Sequence, residues 1–175
     1  VFDFRILADF PAGVISSKYK SFQSTVVQSP NGRVTIPINE QGPEETQSHV
    51  TEYLDANRGP GVQHMAFRSN NIIRTVSILK RRGVKFLPIP QAYYEDSVVG
   101  LRARFPDLAQ NFVDTLAKLG ILFDRDPYGD LLQIFGDPIV DRGTVFPEII
   151  ERRGGRGFGK GNFTALFEAK ELEKE

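Results

Sequence analysis

Two side chains in this 175-residue sequence have the type and setting to hold a metal ion. His64 lies in Gly61-Val62-Gln63-His64-Met65-Ala66-Phe67, and Glu148 in Val145-Phe146-Pro147-Glu148-Ile149-Ile150. Each is embedded in a short apolar run that reads as a strand. A strand histidine and a strand carboxylate supply two donors of a two-histidine, one-carboxylate facial triad. That arrangement holds non-haem Fe(II) on one face and leaves the others open for substrate and oxygen. Plainer readings stand beside it. A lone strand histidine is commonly a core residue satisfied by one backbone group, and a buried carboxylate needs a cation or a donor, for which Arg142 and Arg152 are near in sequence. The remaining histidine is His49, and no third ligand is obvious. Spacing alone leaves both readings open.

The elements that must position these residues follow from pattern and turn chemistry. Strands are expected over residues 2–7, 19–27 and 33–38, with Pro30-Asn31-Gly32 as a hairpin turn. A helix over 44–57 ends at Arg58-Gly59-Pro60-Gly61, and the strand bearing His64 covers 62–67. Asn70 or Asn71 caps a further helix whose apolar face is Ile72, Ile73, Val76 and Leu79, stopped by Gly83. A strand over 84–87 follows, then two helices between 93 and 119 divided at Pro106. Strands over 121–124, 130–135 and 144–150 precede a closing helix from 162 to 174. Runs of strands with helices between them argue for an α+β fold. The second half reads as a strand–helix–strand–strand–strand unit with an insertion. The first half reads as the same unit without its opening strand and helix, and the chain begins at Val1, so we expect a fragment whose upstream part is missing.

Composition narrows the function. The 22 basic and 22 acidic residues balance, which argues against nucleic acid or an anionic membrane as the main partner. The absence of cysteine excludes disulfides and thiolate metal sites and is compatible with a cytoplasmic location. No apolar run approaches a membrane span. Gly154-Gly155-Arg156-Gly157-Phe158-Gly159-Lys160-Gly161 superficially suggests a phosphate loop. Lys160 is followed by Gly161-Asn162-Phe163 instead of Lys-Ser or Lys-Thr, and an aromatic there suits a small apolar ligand better. Tyr93 and Tyr94 read as packing residues.

As a set, six segments closely resemble the 4-hydroxyphenylpyruvate dioxygenase family: Pro37-Ile38-Asn39-Glu40, Gly59-Pro60-Gly61-Val62-Gln63-His64, the run from Leu119 through Gly120-Ile121-Leu122-Phe123-Asp124-Arg125 to Asp126, Leu131-Leu132-Gln133-Ile134-Phe135, Glu148-Ile149-Ile150-Glu151-Arg152, and Gly157-Phe158-Gly159-Lys160-Gly161-Asn162-Phe163. They occur in the family's order over essentially the whole chain. The resemblance implies a vicinal-oxygen-chelate fold, in which βαβββ units curl into an open barrel around Fe(II), with a C-terminal lid helix. It makes residues 1–175 a fragment of the catalytic C-terminal domain. His64 matches the family's second histidine ligand and Glu148 its carboxylate. The first histidine ligand belongs to a strand upstream of Val1, as does the smaller N-terminal domain.

The resemblance also implies a substrate pocket of Ser29, Pro37, Asn39, Gln63, Gln133, Phe135, Phe158, Gly159, Asn162, Phe163 and Phe167. Gln133, Asn39 and Phe163 are the members expected to act on the reacting substrate. The implied reaction takes 4-hydroxyphenylpyruvate and dioxygen to homogentisate and carbon dioxide, in a protein expected to be a homo-oligomer when complete. The nearest rival is 4-hydroxymandelate synthase, where the positions of Asn39 and Phe163 tend to be aliphatic. A binding protein of the same fold without oxygenase activity is the rival from another class. His49 departs from the family's pattern by replacing a pocket glutamine, and is not expected to bind the metal.

Overall fold

A computed structural model describes residues 3–17, 20–42, 49–95, 100–159, 161 and 162. The chain divides into two compact units, Val1–Gly61 and Val62–Glu175. The break falls in the link after the first helix, where Arg58 and Gly59 both take positive φ.

The first unit is an antiparallel meander of β1 (Arg5–Ser17), β2 (Lys20–Gln28) and β3 (Thr35–Gln41), in that spatial order, followed by α1 (His49–Asn57). The expected hairpin is present. Ser29 N–H donates to Val34 O, and the Ser29 hydroxyl accepts from Val34 N–H and donates to Asn31 Oδ1. The opening strand is longer than the pattern suggested and runs through Pro11. Register shifts between Ile6 and Ala8 and between Phe10 and Ile15 let it pass the proline, as bulges do.

The second unit contains β4 (His64–Arg68), α2 (Ile72–Arg81), a 3-10 turn (Gln91–Tyr93), α3 (Leu101–Arg104), α4 (Gln110–Leu119), β5 (Leu122–Asp126), β6 (Gly129–Phe135) and β7 (Phe146–Arg153). Its sheet has the order β4-β7-β6-β5, with β4 parallel to β7 and the other pairs antiparallel. Taken with α2, this is a βαβββ unit, and the α+β expectation holds. The strand expected over 84–87 is not formed. That stretch makes a single bridge, Phe86 to Gly136, with Leu87 N–H donating to Phe135 O and Lys85 O accepting from Asp137 N–H. Pro88 and Pro90 lack the N–H groups that would extend a ladder. The first of the helices expected between 93 and 119 is reduced to the 3-10 turn and α3 among the described residues. Of the closing helix expected over 162–174, Asn162 alone is among the described residues; it is helical, as is Gly161 before it.

Pairing assigns the side chains of this sheet to two faces, because paired residues point the same way and neighbours along a strand point oppositely. Phe123, Leu132, Ile134, Ile149 and Glu151 share one face. The first three are fully buried in a core with Ile72 and Val76 of α2 and Val113 and Leu116 of α4. His64, Phe146, Glu148, Phe135 and Gln133 share the other face. β5 is an edge strand, and its exposed main chain is covered by tyrosines. The Tyr93 hydroxyl accepts from Phe123 N–H at 3.0 Å and lies 2.9 Å from Phe123 O, while Tyr94 donates to Ile121 O at 3.1 Å. Capping an edge in this way withholds it from pairing with another chain.

Candidate metal centre

Parallel pairing of β4 with β7 sets His64 opposite Phe146 and Ala66 opposite Glu148. Histidine and glutamate therefore project from adjacent strands on one face. His64 Nε2 lies 3.5 Å from Glu148 Oε2. Two donors each about 2.1 Å from one ion can be at most about 4.2 Å apart, so the pair fits a shared ion. On its other side, His64 Nδ1 is 3.0 Å from Gln63 Oε1. The imidazole stacks on Phe146, with centroids 5.3 Å apart, and meets the edge of Phe135 at 6.3 Å. Gln133 stands opposite Ile150, one step along the same face.

The electrostatics of the pair are those of a buried carboxyl beside a neutral imidazole. Glu148 is 6 % exposed and accepts no hydrogen bond among the described residues. Burial pushes its carboxyl up to about 7, with the Arg152 guanidinium pulling the other way. Of the two arginines near it in sequence, Arg152 is the one that acts on Glu148; Arg142 is exposed. Burial lowers the His64 pKa, so the ring is held neutral and able to donate a lone pair. His64 and Glu148 are the two ligand-type side chains here, and no group of three is present among the described residues.

The glycine-rich segment reaches this face and is fastened along its length. Asp126 Oδ2 accepts from Arg156 N–H and Gly157 N–H, both at 2.6 Å, while its Oδ1 accepts from Tyr128 and Gly129 in the β5–β6 turn. Burial works against the Asp126 charge, but the four amides outweigh it and hold the carboxyl below its ordinary range. Arg152 Nη1 donates to Gly155 O and Gly157 O. Further along, Gly161 N–H donates to Asp124 Oδ2 at 3.1 Å, and Asn162 Oδ1 lies 2.7 Å from the Tyr93 hydroxyl. The glycines serve close approach, not a phosphate. A Cβ on Gly154 would stand 2.5 Å from Tyr128 O, and one on Gly159, at φ +73°, would strike the amide of Gln133. Asp124, Asp126, Arg152 and Tyr93 thus position the segment. Sequence reasoning had none of them as site residues; the signal for Asp126 is the Asp-Pro-Tyr-Gly turn, which marks a turn but not its second partner.

The residues expected from sequence fall into three groups. Gln63, His64, Gln133, Phe135, Glu148, Phe158, Gly159 and Asn162 are in the second unit. There Gln133 Oε1 and Asn162 Nδ2 are buried with no hydrogen-bond partner among the described residues, an acceptor and a donor that a ligand could use. The Phe158 ring lies 5.6 Å from the Arg152 guanidinium. Ser29, Pro37 and Asn39 are in the first unit, where Pro37 pairs with Val26 and Asn39 with Ser24 on one face of the meander. His49 opens α1 in that unit. Phe163 and Phe167 lie outside the described residues.

The profile of the Glyoxalase/Bleomycin resistance protein/Dioxygenase superfamily matches residues 1–134. Among curated proteins, a 4-hydroxyphenylpyruvate dioxygenase of Coccidioides posadasii is 46 % identical over 160 residues, covering 91 % of this chain and 40 % of the relative. One from Tetrahymena thermophila is 40 % identical over 173 residues, covering 99 % and 43 %. Among solved structures, a triple mutant of 4-hydroxymandelate synthase from Streptomyces coelicolor superposes with a TM-score of 0.79 at 34 % identity, covering 99 % of this chain and 47 % of that one. The chain spans less than half the length of these relatives.

Proposed function

Because this chain belongs to the Glyoxalase/Bleomycin resistance protein/Dioxygenase superfamily, we propose that it is the metal-binding part of an Fe(II)-dependent 4-hydroxyphenylpyruvate dioxygenase. The observation that carries the reading is the 3.5 Å approach of His64 Nε2 to Glu148 Oε2 on one sheet face, with the carboxyl pushed up by burial and no hydrogen-bond donor to it among the described residues. A neutral imidazole and a carboxylate suit Fe(II), as in facial triads.

Bound there, Fe(II) would supply chelation of the 2-oxo acid and activation of dioxygen. The remaining tasks belong to the chain. Phe135 and Phe146 wall the ligand pair with apolar rings, which excludes water and strengthens the electrostatics inside. Gln133 Oε1 and Asn162 Nδ2 offer an acceptor and a donor that can orient a polar substrate. Gly159 leaves the space beside Gln133 that a larger residue would fill. Phe158, Phe163 and Phe167 are proposed to close over the substrate, and Ser29, Pro37 and Asn39 to contact it, on the strength of the resemblance.

The overall change is 4-hydroxyphenylpyruvate plus O2 to homogentisate plus CO2. A second reading has a specific support in the structural likeness to 4-hydroxymandelate synthase. The full-length protein, loaded anaerobically with Fe(II) and then given substrate and oxygen, decides between them by chromatography. Homogentisate as the main product is expected. Hydroxymandelate as the main product would select the second reading, and no product from iron-loaded protein would leave a binding protein.

A further inference from the structure

We infer that Gln63 is a positioning residue: its side-chain carbonyl holds His64 in the Nδ1–H tautomer and so presents the Nε2 lone pair toward Glu148. The inference deepens the proposed function and rests on its reading of His64 as a metal ligand. A neutral imidazole carries one proton on two nitrogens, and the partner of one nitrogen decides the state of the other. Nδ1 is 3.0 Å from Gln63 Oε1, and an amide oxygen can only accept. The proton is therefore on Nδ1. Nε2 then faces Glu148 Oε2 across 3.5 Å as lone pair against carboxylate oxygen, an arrangement that a cation between them satisfies.

Among the described residues one other acceptor lies near the ring, Glu148 Oε2, and at 3.5 Å from Nε2 it is more distant than Gln63 Oε1 is from Nδ1 at 3.0 Å. The ring's other neighbours are Phe146, stacked, and Phe135, edge-on, and neither offers a hydrogen-bond acceptor to a ring nitrogen. Gln63 is itself held, since Phe146 N–H donates to Gln63 O at 3.1 Å and ties that main chain to β7. Orientation of a ligand histidine by an acceptor on its second nitrogen is worth about 10–100-fold in metal affinity.

The test uses the full-length protein with ring-15N histidine, His64 being assigned by its loss in His64→Gln. In the metal-free protein, His64 is expected to carry its proton on Nδ1. Gln63→Leu removes the acceptor, so Nε2–H should become the main form and Co(II) affinity should fall by about 10–100-fold. Gln63→Glu keeps an acceptor at the same reach and should retain both the Nδ1–H form and most of the affinity. An Nε2–H ring in the unaltered protein overturns the inference without any variant. So does a folded Gln63→Leu protein with tautomer or Co(II) affinity unchanged. Failure of the underlying reading looks different: an Nδ1–H ring that depends on Gln63, in a protein that binds neither Co(II) nor Fe(II), removes the metal but leaves the hold of Gln63 on His64.

Discussion

β7 carries two glutamates three residues apart, each 6 % exposed, and the sheet treats them oppositely. Glu151 faces the helices. Its Oε2 accepts from Ile72 N–H at 2.6 Å, at the start of α2, and its Oε1 is 2.7 Å from Arg153 Nε. A carboxylate there meets an unpaired amide and the positive end of a helix, so its charge is fully answered. Glu148 faces the other way, toward His64, with no hydrogen-bond donor among the described residues and a pKa near 7. Equal burial therefore says nothing about role; satisfaction does. The helix face is a packed core, whereas the opposite face keeps a Gln133 Oε1 without a partner among the described residues and a carboxyl that is costly to ionise.

The largest expected effect comes from exchanging the two glutamates one at a time for glutamine. In the full-length protein Glu148→Gln should weaken Fe(II) or Co(II) binding by more than about 100-fold, beyond the range of outer residues. The metal-free variant should be more stable than the parent above neutral pH. Glu151→Gln should do the reverse, keeping metal affinity while costing about 1–3 kcal/mol, because a charged acceptor is withdrawn from a buried amide and from Arg153. Calorimetric titration and denaturant unfolding on both variants test the pair. Similar behaviour of the two would erase the distinction between the faces.

The pH dependence sharpens the same contrast. In the unfolded chain Glu148 loses its proton near 4.5, but the folded metal-free protein holds it until about 7. Between these values the folded state binds more protons, so stability falls as pH rises across that window. The total should be about 3 kcal/mol. Metal-free unfolding curves from pH 4 to 8 should show the fall in the parent and lack this component in Glu148→Gln. A parent curve that rises through the window would contradict a buried, unpaired carboxyl.

Gly159→Ala probes the glycine-rich segment. The new Cβ meets the Gln133 amide and sits at φ +73°, so we expect about 1–3 kcal/mol of destabilisation and a tenfold or larger rise in KM. Metal affinity should be little changed. Unaltered kinetics would show that the segment does not confine the substrate. The smallest effect is expected from Tyr93→Phe, which deprives Phe123 N–H and Asn162 Oδ1 of the hydroxyl for about 1–2 kcal/mol. Limited proteolysis should then cut near residue 160 sooner than in the parent; an unchanged rate would make the hydroxyl a cap for β5 alone.

Much of the local structure was legible because it is set by neighbours in sequence. Asn71 caps α2 by accepting from Arg74 N–H, the Pro30-Asn31-Gly32 turn closes its hairpin, and Gly120 ends α4 in the left-handed region. The motifs around His64 and Glu148 were likewise visible as ligand-type residues in apolar strands. Less visible was the stretch over 84–87. Its side chains suit a strand, but the flanking prolines and the bridge to Gly136 decide otherwise.

What the residues by themselves determined is the inventory: one neutral-range imidazole and one carboxylate in strands, aromatic neighbours, no thiols, and glycines where the backbone must come close. The tertiary structure decided which members meet. His64 and Glu148 are 84 positions apart, and they face one another because β4 and β7 pair in parallel with Ala66 opposite Glu148. A register slip of one residue would turn Glu148 toward the helices and Ile149 toward His64, since side chains alternate with a period of two. Likewise Asp126 holds Arg156 and Gly157, and Tyr93 holds Asn162, across gaps that no local pattern spans. Strand pairing and packing fix these contacts only once the chain is folded. For that reason the same strand can offer one glutamate to a helix and another to a histidine.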